Sequence, residues 1–147
     1  MSELTHQYET TIDWTGGREA KLMAGPRASI LVGAPPEFGG TAQVWSPEHL
    51  CVAAVSTCVM LTFVTIAANS KVSVRAYTAS ATGTLEKVEG RGMEITHVVV
   101  KPRVTIGPDV DPERLERLLK MAEKNCFISN SLKATVTLEP EIVRLEE

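Results

Sequence analysis

The amino-acid sequence predicts an α+β fold, with strands in consecutive runs and two helices set between them rather than a wound parallel sheet. Three observations carry this. One long apolar segment, Leu50 to Ala68, is helical in character; Val- and Thr-rich stretches of alternating polarity flank it on both sides; and Gly/Pro clusters punctuate the boundaries.

The central helix is defined at both ends. Ser46 is a good N-cap, Pro47 sits at the first helical position where a missing N–H costs nothing, and Glu48 lies in the first turn against the positive end of the helix dipole. Asn69-Ser70 supplies the stop. The run is long enough for a membrane span to be weighed. Ser56, Thr57, Thr62 and Thr65 interrupt it, however, and no basic cluster anchors either end. A helix that is apolar all round is expected here to be the buried core of a soluble domain.

Upstream, the alternation of Tyr8, Thr10, Ile12 and Trp14 reads as a strand from His6 to Trp14, closed by the turn Thr15-Gly16-Gly17. A second strand follows from Arg18 to Met23 and, after Gly25-Pro26, a third from Ala28 to Val32, making a meander. The prolines and glycines of residues 33–40 make that stretch a loop.

Downstream, Val72 to Val88 and Met93 to Ile106 alternate around Glu89-Gly90-Arg91-Gly92, which predicts a long antiparallel hairpin. Pro102 predicts that its strand is an edge or carries a bulge. Asp109 or Asp111, with Pro112-Glu113, opens a second helix whose Leu115, Leu118, Leu119 and Ala122 share one face. Ala134 to Leu138 is a final strand, and Pro140 onward is expected to be a peripheral tail.

Composition bounds the function. With 44% hydrophobic and 22% charged residues the chain is globular rather than disordered, and a net charge of −3 with dispersed basic residues leaves no footprint for nucleic acid. The opening MSELTHQYETTIDW has neither a basic n-region nor an apolar h-region, and three cysteines without framework spacing suit a reducing compartment, so a cytoplasmic location is expected.

The cysteines carry the chemistry. Cys51 and Cys58 share a helix face but lie roughly 10 Å apart along the axis, too far for a disulfide, which needs Cα atoms within about 7 Å. Cys126, just past the second helix, can be turned against the central one. Cys58 and Cys126 then form a redox pair, with Cys51 as a small core residue; the alternative is that all three are inert buried thiols. A nucleophilic thiol in an apolar helix needs a cation nearby to lower its pKa. Arg18, beside the two glycines of the first turn, is the candidate, with Glu48 to hold the guanidinium. Glu48 precedes Cys58 by about 15 Å of helix, so the pair reaches a thiol more easily across two antiparallel central helices. This predicts a dimer with sites at the subunit boundary. His6, His49 and His97 stand at no metal-ligand spacing to the cysteines.

Together these residues resemble the osmotically inducible and organic hydroperoxide resistance (OsmC/Ohr) family. The resemblance rests on Thr15-Gly16-Gly17-Arg18 after an opening strand, Ser46-Pro47-Glu48 opening an apolar helix with Cys58 near its middle, and Cys126 followed by Ile128-Ser129-Asn130-Ser131-Leu132-Lys133. It implies a single OsmC-like domain over residues 1–147, an intertwined homodimer with active sites at the subunit interface, and a cysteine-based peroxidase. By that similarity Cys58 matches the peroxidatic thiol, Cys126 the resolving thiol, Arg18 the arginine that stabilises the thiolate and Glu48 its partner. The implied substrate is an organic hydroperoxide and the implied reductant a dithiol such as dihydrolipoamide, with no cofactor, metal or membrane. The same scaffold as a non-catalytic dimer binding a hydrophobic ligand is the competing reading. The chain departs from the family in carrying Phe127 where proline is common, Glu19-Ala20 after Arg18 in place of an acidic-Gly pair, and the additional Cys51.

Overall fold

The computed structural model describes residues 4–146, which divide into two compact units parting between Leu50 and Cys51. The first holds a three-stranded antiparallel meander of β1 (Thr11–Gly16), β2 (Glu19–Met23) and β3 (Ile30–Gly33). The tight β1–β2 turn requires its glycines, since Gly16 and Gly17 have φ of 123° and 56°, and the Trp14 indole N–H donates to Gly17 O at 2.9 Å. Every residue of β1 is exposed in the protomer, and Ile12, Trp14, Leu31 and Trp45 all present apolar surface to solvent.

The predicted first strand is shorter than His6 to Trp14, because β2 pairs only with residues from Thr11 onward. The Gly/Pro segment after β3 contains one 3-10 turn, Pro36–Phe38, before the chain returns beside β3 through the Gly33 N–H to Trp45 O bond of 2.8 Å.

Helix α1 (Pro47–Asn69) opens as its sequence requires: Ser46 Oγ accepts the His49 N–H at 3.1 Å, the N-cap bond. By length and composition α1 could cross a bilayer. Its buried residues instead form one stripe, Val55, Val59, Phe63 and Ala67, each a turn beyond the last. The expectation of a helix buried all round is therefore met in the protomer along that stripe alone; Leu61, on another face, is 53% exposed.

In the second unit β4 (Val74–Val88) and β5 (Gly92–Ile106) form the predicted hairpin, turning through Gly90 and Gly92, both at positive φ. β5 buries every second residue from Val98 through Val100, Pro102 and Val104 to Ile106, the period of a half-buried strand. A Cβ on Gly83 of β4 would lie 2.5 Å from Val52 Cγ2, so glycine is what lets α1 approach the sheet there. α2 (Pro112–Asn125) is capped by Asp111, whose carboxylate accepts the Glu113 N–H at 3.0 Å, and buries Leu115, Leu118, Leu119 and Ala122 as its spacing predicts.

Two expectations are corrected. The residues after Pro140 are not a tail: β6 (Thr135–Leu138) and β7 (Glu141–Arg144) both lie parallel to β5, along His97–Val100 and Arg103–Ile106 respectively. β5 is consequently central, and Pro102 marks neither an edge nor a bulge. Val100 O accepts the Glu139 N–H at 2.9 Å, and Pro102, two residues on, faces the same side. It falls between the end of β6 pairing and the start of β7 pairing, where the missing N–H breaks no ladder bond.

The core forms two clusters beneath this sheet. One joins Phe63 and Ala67 of α1 to Val104, Ile106 and the buried face of α2; the other joins Val55 and Val59 to Val98, Val100 and Cys126. The second cluster positions the thiols.

Candidate active site

Cys58 lies beside the buried stripe of α1, next to Val59 and three residues past Val55, and is itself half-buried against the second core cluster. One turn further on, Thr62 places its hydroxyl 3.9 Å from the Cys58 sulfur, a weak contact set by i,i+4 helix spacing.

Cys126 is the first residue past α2, extended (φ −72°, ψ 116°) and fully buried. Local hydrogen bonds fix the turn that follows. The Asn125 side chain donates to Met121 O at 2.8 Å, the Asn130 side chain to Lys124 O at 3.0 Å, the Asn130 N–H to Cys126 O at 3.0 Å, and Ser131 Oγ to Phe127 O at 2.7 Å. Ser129 Oγ is buried and is the side-chain donor that acts on the Cys126 thiol.

This turn brings Cys126 into contact with Cys58, and the two thiols are electrostatically unlike. Burial pushes the Cys58 pKa up, but hydrogen bonds from the Ile128 main chain, the Cys126 thiol, Thr62 and the Phe127 main chain outweigh it, and the net shift is downward. Burial also raises Cys126; Ser129 opposes this, while the hydrogen bond to Cys58 and the charge on it add to the rise, and the net shift is upward. At a pH between the two, Cys58 is the thiolate and Cys126 the protonated donor. Alkylation followed by peptide mass mapping is expected to label Cys58 at lower pH than Cys126. Because the Cys58 pKa is lowered, its reaction rate reaches a plateau below the pH at which an ordinary thiol does.

All three cysteines are free. Cys51 is half-buried and lines a cavity of about 250 Å³ with Glu94, Ile95, Leu132, Lys133 and Ala134.

Arg18 and Glu48 belong to the first unit. The Arg18 guanidinium lies across Gly39, where a Cβ would stand 3.3 Å from Cζ, and its Nη1 donates to Phe38 O at 2.9 Å. Glu48 Oε1 is shut off from solvent and has no hydrogen-bond partner among the described residues. Among the described residues no ion pair joins the two. Nearby, Ser46 Oγ and His49 Nδ1 are 2.6 Å apart.

With this geometry in view, residues 40–141 match the family model described as OsmC-like protein. The chain belongs to the OsmC-like family. A comparison with curated protein sequences returns no match. Among solved structures, an OsmC-like protein of unknown function from Vibrio cholerae is 28% identical with a TM-score of 0.85, covering 92% of this chain and 99% of that one. An organic hydroperoxide resistance protein from Elizabethkingia anophelis, 19% identical, superposes with a TM-score of 0.76 over 98% of this chain and 100% of its own. The organic hydroperoxide resistance protein OhrB of Bacillus subtilis, 20% identical, gives 0.67 over 93% and 98%. The last two, at such identity, speak to the fold alone. The single apolar helix α1 is thus the core helix of a soluble OsmC-like fold rather than evidence of a membrane span.

In this OsmC-like chain the hydrogen-bond donors around Cys58 are what the sequence reading missed. Thr62 was legible from its i,i+4 spacing. The Phe127 and Ile128 main-chain groups were not, because every residue except proline carries an N–H; the one signal was a position without proline.

Proposed function

We propose that the chain is a thiol-dependent peroxidase that reduces organic hydroperoxides to alcohols, in oxidative-stress defence in the cytoplasm. The contact between a Cys58 of lowered pKa and a Cys126 of raised pKa carries this reading. The Cys58 thiolate attacks the hydroperoxide; the O–O bond breaks, an S–O bond forms, and the departing alkoxide takes a proton to leave as alcohol. The product is a Cys58 sulfenic acid. The Cys126 thiol attacks its sulfur, releasing water and forming the Cys58–Cys126 disulfide. A dithiol such as dihydrolipoamide then reduces the disulfide by exchange, leaving as its own oxidised cyclic form.

The working unit in this reading is a homodimer with sites at the subunit interface. Support comes from apolar surface that one protomer leaves uncovered: the single buried stripe of α1 and the exposed Ile12, Trp14 and Leu31 of the meander. Arg18, paired with Glu48, is assigned to hold the negative charge on sulfur and leaving oxygen. Glu48 Oε1, buried and without a partner among the described residues, supports the assignment, since an acceptor of that kind costs free energy until a donor reaches it. Family membership places the chain on a scaffold shared with organic hydroperoxide resistance proteins.

The test is consumption of cumene hydroperoxide and of hydrogen peroxide by the purified chain, with dihydrolipoamide as reductant. Turnover of the bulky hydroperoxide with weaker use of hydrogen peroxide is the expected result. No turnover with either would favour a non-catalytic dimer with structural thiols.

A further inference from the structure

We propose that the consecutive main-chain N–H groups of Phe127 and Ile128 form a two-donor cradle for the Cys58 sulfur, making the Phe127 amide a working part of the site. The inference rests on the peroxidase reading for its purpose but not for its test. Its geometric basis is the direction of two peptide planes. Among the described residues no peptide bond is cis, so each C=O points opposite to the N–H that follows it. The Cys126 carbonyl is taken by the Asn130 N–H at 3.0 Å and the Phe127 carbonyl by Ser131 Oγ at 2.7 Å, both downstream in the turn. The N–H groups of Phe127 and Ile128 are therefore turned away from Asn130 and Ser131, and among the described residues neither donates to another backbone carbonyl. The Cys58 sulfur receives both.

The side chains agree with this placement. Phe127 is 80% exposed, so its ring is outside while its backbone faces inward. The titratable group in contact with Cys58 here is Cys126, which supplies a third donor while protonated. A proline at position 127 would have no N–H to give. The phenylalanine thus adds a donor in this chain at a place where the resembled family commonly has none.

The experiment is the pH profile of Cys58 alkylation by iodoacetamide, read by peptide mass mapping in the full-length protein, which needs no peroxide turnover. Phe127→Pro removes the N–H with its side chain; Phe127→Ala removes the ring and keeps the N–H. Cys126 already holds the extended conformation required of a residue before proline. A semisynthetic chain with the amide at position 127 replaced by an ester removes the N–H and keeps the ring, and decides the matter if the proline variant misfolds. The expected result is a Cys58 midpoint about one pH unit higher in the proline and ester forms, the loss of one charge-assisted hydrogen bond, and little change in the alanine form. Unchanged midpoints in the proline and ester forms, or an alanine form that moves as far as they do, overturn the proposal. Failure of the unaltered chain to turn over hydroperoxide would instead sink the peroxidase reading and leave the cradle standing.

Discussion

Cys58→Ser is expected to bring hydroperoxide reduction to background, a loss of about 10³-fold or more, while Cys126→Ser is expected to stop after one equivalent per site. The two thiols are adjacent but not interchangeable, and the asymmetry of their surroundings assigns the roles. Cys58 has a pKa lowered by donors from Ile128, Cys126, Thr62 and Phe127 acting against burial, whereas Cys126 is raised by burial and by the charge on Cys58. A serine at position 58 cannot become an anion of comparable nucleophilicity near neutral pH, so the first bond never forms. A serine at position 126 leaves that step intact and still offers Cys58 a donor, but it cannot capture a sulfenic acid. The checks are single-turnover consumption of cumene hydroperoxide and the mass of a dimedone adduct on Cys58. Adduct in Cys126→Ser, and none in Cys58→Ser, is the expected outcome. Equal rates in Cys58→Ser and the native chain would remove the thiol from the reaction.

The same donors explain how much of the site could be read in advance. Cys58 and Cys126 were legible because a cysteine midway along an apolar helix and another just past a capped amphipathic helix are fixed by helix boundaries, and those boundaries are written in Ser46-Pro47 and Asp111-Pro112. The hairpin was legible from its period of two and its glycine turn. The strand read over Ala134 to Leu138 is β6, but β7 and the pairing of both strands were not legible. β6 and β7 are four residues each, and their parallel pairing with β5 depends on register with a distant segment, which no local signal in Glu139-Pro140 announces. Pro102 misled for the same reason: its missing N–H is tolerated by a break between two partners, a fact of topology rather than of its own neighbourhood. Arg18 shows a further limit. The glycines beside it locate its turn, but the Phe38 carbonyl that its guanidinium engages lies on a loop for which sequence gave no conformation.

Phe63→Ala is expected to cost about 3–5 kcal/mol of folding stability, a large share of the total for a domain of this size. Phe63 has no exposed surface and is among the largest fully buried side chains. It links α1 to Val104 and Ile106 of β5 and to the buried face of α2, and its ring lies 5.8 Å from that of Tyr77, tilted by 33°. Truncation removes the burial and leaves a void that the surrounding close-packed groups fill only in part. Tyr77 compounds the loss, since its buried hydroxyl has no hydrogen-bond partner among the described residues and its position is held by packing. The thiols, by contrast, belong to the other core cluster, around Val55, Val59, Val98, Val100 and Cys126. The variant should therefore unfold at distinctly lower urea concentration than the native chain. In the absence of denaturant it should keep the native order of alkylation, Cys58 before Cys126. If the alkylation order were lost while the urea midpoint held, the two clusters would not be mechanically separate, and the reactive sulfur would depend on the Phe63 end of α1.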